Sequence, residues 1–132
     1  MKIDGGCFCG SITYEAEIDP EKVEICNCTD CQVLGGTAFR IVAPVDMFKL
    51  LSGQPTKFIK TAESGRKHAR MFCPNCGTAV YVTAGTEGEP PFWVVVPTAR
   101  QRNELPPKKQ YWVRSAQHWL SDLDAVPRVE KE

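Results

Sequence analysis

All seven cysteines of the chain fall into three tight clusters: Cys7-Phe8-Cys9, Cys26-Asn27-Cys28-Thr29-Asp30-Cys31 and Cys73-Pro74-Asn75-Cys76-Gly77. An odd count argues against a disulfide framework, so the thiols are expected to persist as thiols or as metal thiolates. The third cluster has the form of a zinc knuckle. Its CxxC spacing lets two sulfurs converge on one ion, Pro74 favours the turn, and Gly77 tolerates the backbone conformation that turns amide donors toward the sulfurs. A thioredoxin-like redox pair is the rival reading, but it needs a helix after the second cysteine, and Ala79-Val80-Tyr81-Val82 reads as strand.

A knuckle supplies two ligands, whereas a structural zinc site takes four in a tetrahedron. Cys7 and Cys9 can complete it, because residues i and i+2 of an extended chain point to one face. Cys7, Cys9, Cys73 and Cys76 are thus expected to form a closed site. Cys26, Cys28 and Cys31 remain, and three protein ligands beside one open position is the pattern of a catalytic zinc site. The expectation is two zinc ions per chain. Spacing leaves the second site's fourth ligand undecided between an incoming molecule, His68, Asp30, another acid and a bridging thiolate.

The rest of the chain reads as β structure. Ile12, Tyr14, Ala16 and Ile18 alternate with the period of a half-buried strand. Further strands are expected over Thr37 to Ala43, ended by Pro44, then Phe48 to Leu51, Thr56 to Thr61, His68 to Phe72, Ala79 to Thr83, Phe92 to Val96 and Tyr111 to Ser115. One short helix fits Cys28 to Leu34, ended by Gly35-Gly36. This pattern predicts an all-β, mainly antiparallel fold with one short helix. At 132 residues it should form one zinc domain over residues 1–125, with a C-terminal tail over 126–132.

Lysine plus arginine equal aspartate plus glutamate at 16 each, so no global field draws the chain to nucleic acid or to an anionic membrane. No secretory leader is visible at Met1, and no segment approaches the roughly 20 apolar residues of a membrane span. A soluble protein of the cytoplasm is expected.

The ordered series CxC, CxCxxC, Gly35-Gly36-Thr37-Ala38-Phe39, Ser52-Gly53 and Arg70-Met71-Phe72-Cys73-Pro74-Asn75-Cys76-Gly77 resembles the glutathione-dependent formaldehyde-activating enzyme family, whose domain recurs in centromere protein V. The stretch from Tyr111 to Leu120 is similar to the family's C-terminal segment. The resemblance implies a small β-tent related to zinc ribbons, a structural zinc on Cys7, Cys9, Cys73 and Cys76, and a catalytic zinc on Cys26, Cys28 and Cys31. Gln110 stands where members often carry a histidine.

The activity so implied is that of a carbon–sulfur lyase resembling S-(hydroxymethyl)glutathione synthase, joining a small thiol, glutathione first, to formaldehyde or a related aldehyde. Three anionic thiolates weaken zinc as a Lewis acid, which favours thiol chemistry over water activation. Within the basic stretch Lys57, Lys60, Arg66, Lys67, His68 and Arg70, the guanidinium of Arg70 is the best candidate to clamp a carboxylate of the thiol. Phe39 is expected beside the open site, Trp112 in the core, and His118 as a partly exposed polar residue. The alternatives are a non-catalytic zinc module for a protein or nucleic-acid partner and an iron-bound electron-transfer site.

Overall fold

The alternating run becomes a strand with one buried face. In the computed structural model, which describes residues 1–132, Tyr14, Ala16 and Ile18 of strand β2 (Thr13–Ile18) are each at most 1% exposed, while Glu15 between them faces solvent. The other elements are β1 (Lys2–Gly6), β3 (Glu24–Cys26), α1 (Thr29–Gly35), β4 (Arg40–Ser52), β5 (Thr56–Thr61), β6 (Lys67–Phe72), β7 (Ala79–Thr83), β8 (Trp93–Val95) and β9 (Lys109–Tyr111), with short 3-10 turns between and after them. Strands β1-β2-β4-β8-β7-β6-β5 pair in that order, all antiparallel, and β3 joins β4 on one side and β9, in parallel, on the other. The fold is the expected mainly antiparallel sheet with one short helix.

The sequence placed a strand end at Pro44, but β4 runs through it for 13 residues. Residues 40–42 of β4 pair with β3, whereas from Val45 onward the partner is β2. Pro44 therefore lies where the ladder changes partner, the position at which a missing amide hydrogen is tolerated. Strand β1 was not anticipated because Gly5-Gly6 reads as turn. The glycines are needed for close approach: a Cβ on Gly5 would collide with the Thr98 carbonyl oxygen, and one on Gly6 with that of Ile12. The strand expected from Tyr111 to Ser115 is also different. It ends at Tyr111, because Trp112 adopts left-handed backbone angles (φ 57°, ψ 40°) and a 3-10 turn follows.

The core lies against β2, β7 and β8, where Ile12, Tyr14, Ile18, Val80, Val94 and Leu105 are essentially inaccessible. Each such aliphatic side chain contributes roughly 1.5–3 kcal/mol on burial. Phe48 stacks between Tyr14 at 5.1 Å and Tyr81 at 4.6 Å between ring centroids. The Tyr14 hydroxyl donates to Thr98 Oγ1 at 2.9 Å, and Thr98 in turn donates to the Val95 carbonyl at 2.7 Å. Burial pushes the Tyr14 phenol up to about 12. No helix of the structure is long and apolar enough to cross a membrane.

Candidate metal centres

The sheet carries the first and third cysteine clusters to one point. Cys7 follows β1, Cys73 follows β6, and the sulfurs of Cys7, Cys9, Cys73 and Cys76 all lie within 4.8 Å of one another. Cys7 Sγ stands 3.6 Å from Cys9 Sγ, and Cys9 Sγ stands 3.7 Å from Cys73 Sγ. A tetrahedron with Zn–S bonds of about 2.3 Å has edges of about 3.8 Å, so the donor set fits zinc. All seven cysteines are free thiols.

The loops holding these sulfurs are turns, including the one expected to be extended. The Gly10 amide donates to the Cys7 carbonyl at 3.1 Å, with Gly10 left-handed at φ 82°, so Cys7-Phe8-Cys9 curls and its sulfurs converge by curvature rather than by strand alternation. In the knuckle the Gly77 amide donates to the Cys73 carbonyl at 2.8 Å, with Gly77 at φ 79°. Amides and hydroxyls face the sulfurs. The Ile12 amide donates to Cys7 Sγ at 3.2 Å, Ser11 Oγ lies 3.2 Å from Cys9 Sγ and 3.4 Å from Cys73 Sγ, and Thr78 Oγ1 lies 3.2 Å from Cys76 Sγ. The Ser11 hydroxyl and the Asn75 side chain draw Cys9 down to about 5, and the Thr78 hydroxyl draws Cys76 down to about 7. Sequence reasoning missed Ser11; its place two residues after the CxC pair, where a short hydroxyl can fold back, was the available signal.

The second cluster is local. Cys26 ends β3, Cys28 caps α1 with its sulfur accepting the Cys31 amide at 3.2 Å, and Cys31 is buried in the first helical turn. Gly36, left-handed at φ 65°, ends α1 as expected. The three sulfurs lie within 4.8 Å of one another and also suit a zinc ion. As thiols they share protons: the Cys31 S–H donates to Cys26 and pulls it down to about 5, while that same bond, with burial, pushes Cys31 well above the usual range. Neither His68 nor Asp30 brings a ligand atom into the group. Asp30 accepts instead from Lys60 Nζ at 3.1 Å.

A strap from the C-terminal part is tied to this cluster. Buried Asn27 donates through its side chain to the Tyr111 carbonyl at 3.0 Å and to Gln110 Oε1 at 3.3 Å. Gln32 Nε2 donates to the carbonyls of Asn27 at 2.8 Å and Ser115 at 3.0 Å. Gln110 thus anchors Asn27. The strap brings Trp112, expected in the core, to a cavity of about 300 Å³ that Cys26, Cys28 and Cys31 share with Arg40, Lys60, His68, Asp30 and Glu63. Trp112 is 42% exposed there. His68 packs edge-on against Phe92 and Trp93 at 5.5 and 5.7 Å, and burial, followed by the Lys60 charge, lowers its pKa, so its imidazole is neutral at pH 7.

Arg70 is half-buried, and burial followed by the charge of neighbouring Arg40 disfavours its protonated form. Arg40 was not anticipated, although it directly follows Phe39 where a strand begins. Neither arginine has a carboxylate partner, since the three ion pairs of the structure are Lys60–Asp30, Arg100–Asp4 and Lys108–Glu21. Arg40 Nε and Arg70 Nη1 are buried without hydrogen-bond acceptors. Of the basic stretch, Lys57, Arg66 and Lys67 are solvated. His118 is exposed, and Phe39 lines a different cavity from the one at Cys26, Cys28 and Cys31.

Residues 2–115 match the family model for the glutathione-dependent formaldehyde-activating enzyme. An uncharacterised lyase of Schizosaccharomyces pombe is 29% identical over 91 residues, an alignment spanning 69% of this chain and 64% of the relative's length. The crystal structure of a Rhodobacter sphaeroides protein has the same fold at a TM-score of 0.58 and 19% identity, covering 82% of this chain and 99% of that one.

Proposed function

The chain belongs to the glutathione-dependent formaldehyde-activating enzyme family, and from that premise we propose that it is a zinc-dependent carbon–sulfur lyase joining a small thiol, glutathione first, to formaldehyde or a related small aldehyde. Cys7, Cys9, Cys73 and Cys76 would hold the structural zinc, and Cys26, Cys28 and Cys31 the catalytic one. Residues 1–125 would be the zinc domain and 126–132 its exposed tail. A reducing compartment such as the cytoplasm suits seven free thiols.

The observation that carries the reading is the set of three mutually close sulfurs opening on a cavity lined by Arg40, Lys60, Asp30, Glu63, Trp93 and Trp112. A zinc ion held by Cys26, Cys28 and Cys31 would supply the Lewis acidity that lets a thiol lose its proton near neutral pH. The charges of Arg40 and Arg70 favour an anionic sulfur beside Cys31, and Trp93 and Trp112 limit water at the reacting atoms. In the addition, the thiolate sulfur forms a bond to the carbonyl carbon, the C=O π pair moves to oxygen, and that oxygen takes one proton to give the S-hydroxymethyl adduct. Lys60 Nζ, 17% exposed and held by Asp30, is the cavity's charged proton donor.

Cobalt replacement tests the binding half, because a fourth thiolate entering the shell intensifies sulfur-to-metal absorption. Exchange NMR of glutathione with labelled formaldehyde tests the turnover half. Stronger absorption and exchange faster than the uncatalysed mixture are expected. An unchanged cobalt spectrum, with Cys28→Ser exchanging as fast as wild type, would replace this reading with a non-catalytic zinc module for a protein or nucleic-acid partner.

A further inference from the structure

Trp112 is the one residue other than glycine with a positive φ, and it stands at the cavity of Cys26, Cys28 and Cys31. A bulky residue keeps such a backbone only where its surroundings fix the chain on both sides. Apolar packing does not do so here, because none of residues 110–117 is buried. The strap is held by hydrogen bonds instead, and they come from the segment that carries the three cysteines.

Before Trp112, the backbone amide and the side-chain amide of Asn27 both donate to the Tyr111 carbonyl at 3.0 Å, which fixes the peptide entering the indole residue. After it, Gln32 Nε2 donates to the Ser115 carbonyl at 3.0 Å, and the Ser115 amide closes a turn onto the Trp112 carbonyl at 3.0 Å. The second Nε2 hydrogen of Gln32 goes to the Asn27 carbonyl at 2.8 Å, and its Oε1 accepts from Gln117 Nε2 at 2.7 Å. Both donors of this one side chain are thus used, one on the cysteine loop and one on the strap. The flipped amide would set its oxygen against two carbonyls, so the orientation has a single solution. Gln32 does not itself line the cavity.

We propose that Gln32 is a positioning residue for the three-cysteine site: together with Asn27 it clamps the strap, so that Trp112 stands as a fixed wall beside the sulfurs before any ligand arrives. This rests on the thiol reading above and adds the means by which the site keeps its shape. An incoming thiol then meets a wall already ordered. Without the clamp only a fraction of molecules holds the wall in place, and the apparent affinity falls by that fraction.

A double-mutant cycle on the full cobalt-loaded chain tests it, with wild type, Gln32→Met, Trp112→Ala and the pair. Methionine keeps the length and helix preference of glutamine and removes both donors and the acceptor. Glutathione affinity, read from the cobalt spectrum, is expected to fall about tenfold in Gln32→Met, the loss from one or two net hydrogen bonds, and by a similar factor in Trp112→Ala. The pair should bind no more weakly than Trp112→Ala, because a residue acting through the indole has nothing left to position once it is gone. Hydrogen exchange at Ser115 and Ala116, whose amides form the turn after Trp112, should quicken about tenfold in Gln32→Met while the β2 amides stay unchanged. Losses that multiply in the pair, or a Gln32→Met affinity within about twofold of wild type, overturn the proposal. A wild-type cobalt spectrum blind to glutathione would sink the thiol reading alone, and exchange would then judge the clamp: quickened strap amides uphold it, unchanged ones overturn it. Should Gln32→Met fail to fold, Gln117→Ala, at an exposed position, removes the donor to Gln32 Oε1 and is read by the same criteria.

Discussion

Cys73→Ser and Cys28→Ser remove one sulfur each, yet they are expected to differ sharply in cost. Cys9 and Cys73 are 64 residues apart in the chain, so an ion held by both closes a long loop. The chain-entropy relation for a cross-link of that span gives about 4 kcal/mol. Cys26 and Cys31 are five residues apart (31 − 26), and the same relation gives about 2 kcal/mol less for that short loop. The replacements also differ locally. Cys73 is wholly buried, whereas Cys28 is the N-cap of α1, and serine is a favoured cap whose Oγ can still accept the Cys31 amide. Cys73→Ser should therefore lose about 4 kcal/mol or more and melt roughly 12–20 °C lower. Cys28→Ser should lose about 2 kcal/mol or less, remain folded, and bind less metal. Differential scanning calorimetry with metal analysis on zinc-loaded protein reads both. Melting points depressed equally would refute the argument, as would Cys73→Ser retaining full metal.

Native mass spectrometry of protein prepared without chelator should show up to two zinc ions per chain and a colourless sample; a folded metal-free chain or a visible absorption band would contradict it. His68 has a folded pKa below its ordinary value, so below about pH 6.5 the unfolded state binds more protons; stability rises as pH rises through that window, is lost as pH falls through it, and flattens above it. His68→Gln melts should lack this component when compared with wild type between pH 5 and 7.5, and parallel curves would rule it out. Tyr14→Phe removes the bond to Thr98 and should cost about 1 kcal/mol in urea unfolding; a stability equal to wild type would show that bond to be inert. Gly5→Ala should be far more damaging, since its Cβ meets backbone at Thr98 and Ala99, and a normal melting point would contradict the close approach.

Much of this architecture was legible in the chain because its signals are local. Strand alternation placed β2, the Gly35-Gly36 pair closed α1, and cysteine spacing gave both sulfur groups. What escaped depends on contacts between distant segments. Gly5 and Gly6 look like turn residues until Thr98 and Ile12 press against them, and Pro44 looks like a terminator until β4 is seen to change partners there. Arg40 and Arg102 lie 62 positions apart (102 − 40), so no reading of spacing could bring them to one cavity. In the sequence Arg70 stands out only as a guanidinium in a basic stretch, and its charged neighbours Arg40 and Cys31 come from distant parts of the chain.

Trp112 shows where the molecule accepts local instability. A bulky residue in the left-handed region costs about 1–2 kcal/mol relative to glycine, and with 42% of its surface exposed the indole recovers only part of that by packing. Exchange to glycine would relax the backbone while removing one wall of the cysteine cavity, so thermal robustness and performance are set against each other at this position. A laboratory selection for heat resistance alone would erode the indole, whereas one that demands the proposed activity would keep it.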